Sequence, residues 1–462
     1  MAAHDALERA RHTVLAENTA QAVHKHLSKL YEEEARFRSR WIWELLQNAR
    51  DAAPRTGVNV WVVREPDRLV FRHNGMPFTD SNIAHLIYHG STKYDLSDTG
   101  AIGQFGTCFL TTHLISKTVT VAGFIGERPF RFMLDRRGTT ADEVRVAMES
   151  SWQRFAESLS GTPAAWSGEF TTEFDYPVDA RFAGVIDDGI ADLTANAAYL
   201  LAFNDRIVSL QVRQLERTMT FTKRGSEPVG EAAIRLHIED LVAGQEPAAR
   251  YVVVVCENGT SVAAELGAEL GQAEVRWSLA ERAKTPRIFV AFPLTATADF
   301  CLPVVVNDEQ FQPREDRDTL FLRPNREGPH PNMPRMAQAC TLAFRLASLA
   351  AGQEWGGAAT LARLREVRQW DWVDSEWLRA ALSERFVEPT RMASVMVNAD
   401  GNRIAPRNAT IPVAAGAATC VDLWDIVERL PDATKKLPLR DEAAGWADNI
   451  TSWASVLCQA VD

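Results

Sequence analysis

Residues 102–110 read Ile-Gly-Gln-Phe-Gly-Thr-Cys-Phe-Leu, with Gly103 and Gly106 three apart ahead of an apolar run of Phe109, Leu110, Leu114 and Ile115. A polar stretch, a Gly-x-x-Gly turn and then a helix is the layout of a helix N-terminus that receives an anion. Exposed N–H groups and the helix dipole face the ligand, and glycine lets it come close. The pattern predicts a helix over 109–116. A pair of glycines ahead of a helix is most often a plain turn, so its meaning depends on what else the chain supplies.

Upstream, residues 41–53 place Ile42, Leu45, Leu46, Ala49 and Ala53 at helical spacing, ended by Pro54. Glu44, Asn48 and Asp51 fall at i, i+4 and i+7 and share another face. In an ordinary amphipathic helix that face is merely solvated. In a catalytic one it offers a carboxylate to activate water and, one turn on, a neutral oxygen for magnesium. Mg²⁺ takes octahedral oxygen donors and needs few from protein when phosphates supply the rest.

Arg72-His73-Asn74-Gly75-Met76-Pro77-Phe78 ends a strand-like run (Leu69, Val70, Phe71) that pairs with 58–63 through a turn at 65–68. Asn-Gly reads as a hairpin turn, but a glycine at a strand end also suits close approach by a flat base. His89-Gly90-Ser91-Thr92-Lys93 reads as a loop carrying a cation, against the ordinary alternative of a solvated lysine.

Together these segments resemble the GHKL ATPases: gyrase B, the ninety-kilodalton heat-shock chaperones, histidine kinases and MutL. The resemblance covers about residues 10–180 and is closest to the heat-shock-chaperone and sacsin-like branch. It implies Glu44 as general base, Asn48 as magnesium ligand and Asp51 beside them in the first box. His73, Asn74 and Gly75 stand where the family has the Asp-x-Gly that reads adenine. Ser91, Thr92 and Lys93 resemble the start of the lid (79–101), with Lys93 directed at a phosphate. Gly103, Gln104, Phe105, Gly106, Thr107 and Cys108 correspond to the phosphate box. Thr172, in Thr172-x-Phe174-x-x-Pro177, corresponds to the threonine that helps hold the adenine.

Two departures stand out. Histidine replaces the adenine-binding aspartate, so either a neutral ring nitrogen accepts one hydrogen bond or Asn74 substitutes. Cys108 replaces a glycine and would crowd the phosphate loop unless it turns into the core. Neither departure removes Glu44 or Asn48, so the expectation is a working, slow ATPase using ATP and Mg²⁺.

The expected architecture is α+β: a Bergerat-type α/β sandwich over 1–177, a transducer-like α+β domain over 178–325, and a mainly helical region over 326–462. In the second, the stretch 306–320 resembles the chaperones' middle-domain loop, which implies Arg317 as a γ-phosphate contact with Arg314 as its rival. A surface loop of self-pairing charges (Arg314, Glu315, Asp316, Arg317, Asp318) is the plain alternative. The third begins with Pro324, Pro329, Pro331 and Pro334, is dense in tryptophan (Trp355, Trp370, Trp372, Trp377), and ends in a stretch that resembles the close of sacsin repeats.

Composition narrows the function classes. The six cysteines form no CxxC pair and no metal-ligand spacing, which favours reduced core thiols and a cytoplasmic setting. No apolar run reaches the ~18–20 residues that span a bilayer. The net charge of −11 gives no indication of a broad nucleic-acid surface, although Arg36, Arg38 and Arg40 would make a local basic patch. The reading is an ATP-dependent conformational switch, forming an ATP-dependent homodimer or meeting a partner protein in a multi-component system such as phage defence. The alternatives are a DNA-acting GHKL protein of MutL or topoisomerase type, and a nucleotide-binding module without turnover.

Overall fold

The computed structural model describes residues 2–88, 108–160, 169–231, 233–246, 248–270, 275–280, 284–326, 328–414 and 416–457. The chain divides into two compact units, Met1–Lys223 with Glu239–Ala248, and Arg224–Ile238 with Ala249–Asp462. The fold is mixed α+β.

In the first unit, helix α1 (Ala2–Glu32) and the short α2 (Glu34–Phe37) lead into α3 (Arg40–Asp51). Strands β1 (Val58–Arg64) and β2 (Arg68–His73) follow as an antiparallel hairpin with Val62 opposite Phe71. Helix α4 (Asp80–Tyr88), a 3-10 helix Cys108–Leu114, strands β3 (Thr118–Ile125) and β4 (Arg128–Asp135), and helix α5 (Ala141–Ser160) come next. Strand β5 (Thr172–Pro177), helix α6 (Ala183–Phe203), β6 (Ile207–Gln214) and the start of β7 (Arg217–Val229) complete the unit. The strand order is β7-β6-β1-β2-β5-β3-β4, antiparallel among the pairs whose register is defined except for the parallel pair β1–β6. That parallel pairing ties residues 207–214 into the same sheet as the hairpin.

The two faces of this sheet differ in chemistry. On one face Val60, Val62, Phe71, Phe174 and Tyr176 are buried. The other carries cross-strand ion pairs: Arg72 Nε to Glu173 at 2.8 Å, Arg131 to Glu173 at 3.2 Å, and Arg131 to Asp175 at 3.7 Å. Side chains alternate across a strand, so this register gathers Val60, Val62, Phe71, Phe174 and Tyr176 on one face and Arg72, Glu173 and Asp175 on the other. The arginines of these pairs are partly exposed while Glu173 is buried, so the pairs act mainly to hold the acids on that face.

Helix α3 is buried nearly all round, not on one stripe. Trp41 Nε1 donates to the Val185 carbonyl at 3.1 Å and Trp43 Nε1 to Asp192 Oδ2 at 2.7 Å, both on α6. The helices meet because residue 189 has no side chain: a Cβ there would lie 2.4 Å from Trp41 Nε1. At this helix entrance the arginines of the local basic patch are each paired with a carboxylate. Arg36 pairs with Glu33, Arg38 with Glu34 and Asp188, and Arg40 with Glu44.

In the second unit the strand order is β13-β12-β14-β10-β9-β8, from β8 (Ala233–Val242), β9 (Ala248–Glu257), β10 (Thr260–Leu270), β12 (Ile288–Val290), β13 (Phe292–Pro293) and β14 (Val305–Asp308). Strand β11 (Val275–Leu279) pairs with β10. Helix α7 (Asn332–Gly352) buries Met336, Cys340, Ala343, Leu346 and Ala347. Helices α8 (Ser375–Leu382) and α9 (Glu388–Met392) follow. The hairpin β15 (Met396–Val397) and β16 (Arg403–Ile404) then turns at Gly401, where φ is +80°. Helices α10 (Ala417–Val427) and α11 (Ala443–Leu457) end the described chain. The tryptophans are structural here: Trp370 and Trp372 lie 5.4 Å apart, Trp372 stacks on Phe300 at 5.9 Å, and Trp453 Nε1 donates to the Ala362 carbonyl at 2.7 Å.

Gly189→Ala tests the seat of α3. Alanine gains ~1 kcal/mol of helix propensity over glycine, but overpacking against Trp41 costs about 1–3 kcal/mol and displaces a hydrogen-bonded indole worth about 1 more. The expected outcome is a net loss in denaturant midpoint. A gain would mean that the helices are not held by this contact.

Candidate functional site

The C-terminal end of α3 organises the candidate site. The last carbonyls of a helix lack intrahelical partners, and here the Ala52 carbonyl accepts the Met76 N–H at 2.7 Å. Gly75 lies against the same residue, and a Cβ on it would fall 2.8 Å from the Ala52 oxygen and 2.9 Å from His73 Nδ1. The glycine therefore serves close approach by the chain's own helix end. Asn74-Gly75 forms no hairpin turn: the segment crosses to β3, where Phe78 N–H reaches the Phe124 carbonyl at 2.9 Å. The end of α3 and the His73–Met76 segment are thus joined by a main-chain hydrogen bond.

Glu44 is 2% exposed, so the solvated-face reading does not hold for it. Its Oε1 accepts from Arg40 Nε at 3.0 Å, one turn back on the same helix. This i, i+4 pair is buried on both sides, and each member would be costly to bury alone. Arg40 is the partner that motif reading missed; the spacing Arg40-x-x-x-Glu44 was the signal. Asn48 is half-buried and its amide makes no hydrogen bond among the described residues, which leaves its oxygen suited to a hard cation. Asp51 lies 4.0 Å from Arg50. Among the described residues no cluster of three or more His, Cys, Asp or Glu could hold a metal. A magnesium here would take Asn48 as its protein ligand and rely on phosphates and water, which this donor set fits.

His73 ends β2 directly opposite Thr172 on β5. The imidazole is 3% exposed, packs edge-on to Phe71 at 6.3 Å between ring centroids, and burial pushes its pKa down to about 3. The ring is neutral at ordinary pH. Its Nδ1 accepts the Gly75 N–H at 3.1 Å. Asn74 Oδ1 accepts the Asn59 N–H at 2.7 Å, so the amide oxygen expected to replace a carboxylate is already engaged. Thr172 is 1% exposed, and its hydroxyl has no hydrogen-bond partner among the described residues. The same is true of Gln47 Nε2. Buried polar atoms are costly without partners, so the Thr172 hydroxyl marks a place where a polar ligand atom would be stabilised.

Ser91, Thr92, Lys93, Gly103, Gln104, Phe105, Gly106 and Thr107 lie outside the described residues, as does the side chain of Cys108. The helix expected over 109–116 is the 3-10 helix Cys108–Leu114. Thr111 and Thr112 are poor α-formers, and Thr112 Oγ1 bonds back to the Phe109 carbonyl at 2.8 Å. The apolar residues behave as expected, with Leu110, Leu114 and Ile115 buried. Beside this helix, Arg136 is fully buried and donates to the Ile87 carbonyl at 2.6 Å, closing the last turn of α4.

Arg317 belongs to the second unit, buried, with φ at +50° in a turn closed by its N–H to the Arg314 carbonyl at 2.8 Å. Arg314 is engaged with Asp371 at 3.2 Å and lies over the Phe321 ring at 5.3 Å. No protein-family model matches the chain, and no curated protein matches it.

Burial also sets an acid sensitivity. His113 is pushed down to about 3, first by burial and then by Arg136 beside it, and His73 matches it. In the unfolded chain both would titrate near 6.5. The folded pKa values are depressed, so the stability is fully present above pH 6.5 and is lost as pH falls from there towards 3. The slope is at most ~1.4 kcal/mol per pH unit for each ring. Denaturant midpoints between pH 7.5 and 5 should fall accordingly, and His113→Gln should flatten the slope by one proton. An unchanged slope in that variant would place His113 in a solvated setting.

Proposed function

We propose that the first unit binds a purine nucleoside triphosphate with magnesium and hydrolyses it slowly, as a conformational switch of the GHKL type. The observation that carries this reading is the buried Glu44, ion-paired with Arg40 one turn before Asn48, on a helix whose end is bonded to the His73–Met76 segment. The motif order in the sequence supports it, because these are the residues that the resemblance assigns to base, metal and adenine.

In this reading Arg40 fixes the carboxylate, and Glu44 takes a proton from the attacking water as general base. Asn48 holds the magnesium through its amide oxygen. When bound, the metal offsets charge on the phosphate oxygens, and the remaining catalysis is positioning and electrostatics. His73 and Thr172 line the base end of the site. The carboxylate lies in a dry setting where fixed charges act more strongly than in water.

Glu44→Gln is the sharper substitution, because the amide oxygen still accepts from Arg40 and only the proton acceptor is removed. ATP hydrolysis should drop about 10²–10⁴-fold while nucleotide binding persists. Asn48→Ala should lose the magnesium dependence of binding. Wild-type turnover in Glu44→Gln, measured by phosphate release, would remove Glu44 from the base role.

A further inference from the structure

We infer that the base end of this site presents a hydrogen-bond donor, His73 Nε2–H, so that it takes a 6-oxopurine triphosphate (GTP or ITP) at least as tightly as ATP. The inference rests on the nucleotide-site reading above and adds which base edge that site reads.

The argument starts from an obligatory donor. A backbone N–H can only donate, and Gly75 N–H is 3.1 Å from His73 Nδ1, so that nitrogen must carry its lone pair there. The ring is neutral because it is buried, so its one proton sits on Nε2. Apart from the bond at Nδ1, the ring makes no hydrogen bond among the described residues. The contact with Gly75 cannot easily be exchanged for another, since residue 75 is held by Ala52 and by Thr171, whose hydroxyl donates to the Gly75 carbonyl.

The neighbouring groups do not supply the missing acceptor in a selective way. Asn74 Oδ1 is taken by Asn59, which is itself fixed by Ser209 Oγ at 2.7 Å. The Thr172 hydroxyl, opposite His73 in the strand register, both donates and accepts. It therefore suits the N1–H of a 6-oxopurine as well as the N1 or amine of adenine. Discrimination at C6 falls to His73. A keto oxygen accepts from Nε2–H, whereas an exocyclic amine presents hydrogen to hydrogen and leaves both donors unpaired. Mispairing one buried polar group shifts affinity about tenfold or more.

The test is titration of the full chain with ATP, GTP and ITP in the presence of Mg²⁺, read by calorimetry. GTP and ITP should bind as tightly as ATP or tighter. His73→Asp, which replaces the donor with acceptors, should turn the ratio about tenfold towards ATP. Circular dichroism checks that this variant folds. If it does not, His73→Gln, whose amide both donates and accepts, should bring the three affinities together. Independently, ¹⁵N shifts of the imidazole, assigned by the signal lost in His73→Gln, should show the Nε2–H tautomer. ATP at least tenfold tighter than both 6-oxopurines in the wild type, or an Nδ1–H ring, would overturn the inference and leave the nucleotide site standing. Failure of all three triphosphates to bind would overturn the site reading, and this inference with it.

Discussion

The contact on which the candidate site depends is a main-chain latch at the end of α3. A helix ending inside a folded unit must dispose of carbonyls that lack intrahelical partners. Here the Ala52 carbonyl is satisfied by Met76 N–H, and residue 75 can lie against Ala52 only because it is glycine. That single junction brings the polar residues of α3 and the end of β2 into one neighbourhood. The tryptophans at 41 and 43 fix the other side of the helix against α6, so α3 is held from both sides. Side chains placed on such an element keep their geometry, which a loop would not guarantee.

The same latch decides the chemistry of His73. Seen as a residue type, a histidine can donate or accept at either nitrogen. Seen in place, Nδ1 faces the Gly75 N–H, and the remaining nitrogen must carry the proton. In place, the ring is therefore fixed as a donor at Nε2. Asn74 spends its oxygen on the Asn59 N–H at the start of β1.

Much of the fold was legible from pattern. The hairpin of 58–63 with 69–71 emerges as β1 and β2, and the apolar spacing over 41–53 as α3. Period and turn chemistry decide such elements locally. Strands β10 and β11 were not anticipated: Gly267 and the run of Ala263, Ala264 and Ala268 weaken the β signal, and pairing with β9 and β14 overrides it. The helix expected over 109–116 forms as a 3-10 helix, because Thr111 and Thr112 favour the tighter turn. For the site, motif spacing pointed to Glu44, Asn48, His73 and Thr172. It could not reveal that Arg40 pairs with Glu44, or which nitrogen of His73 is engaged, because both depend on rotamers and neighbours.

The polar content of α3 is what separates a packing helix from a working one. A helix buried on all sides gains nothing from Glu44, Gln47 or Asn48 that leucine or alanine would not give more cheaply. Arg40 and Glu44 offset one another, and replacing such a pair with apolar residues of similar volume is often neutral or stabilising. Gln47 Nε2 and, across on β5, the Thr172 hydroxyl find no partner among the described residues. Each such atom costs about 1–3 kcal/mol against a paired alternative. Packing alone offers no return for these groups. Under the proposed function, a bound polar ligand would offer that return, with the carboxylate held in place by the arginine.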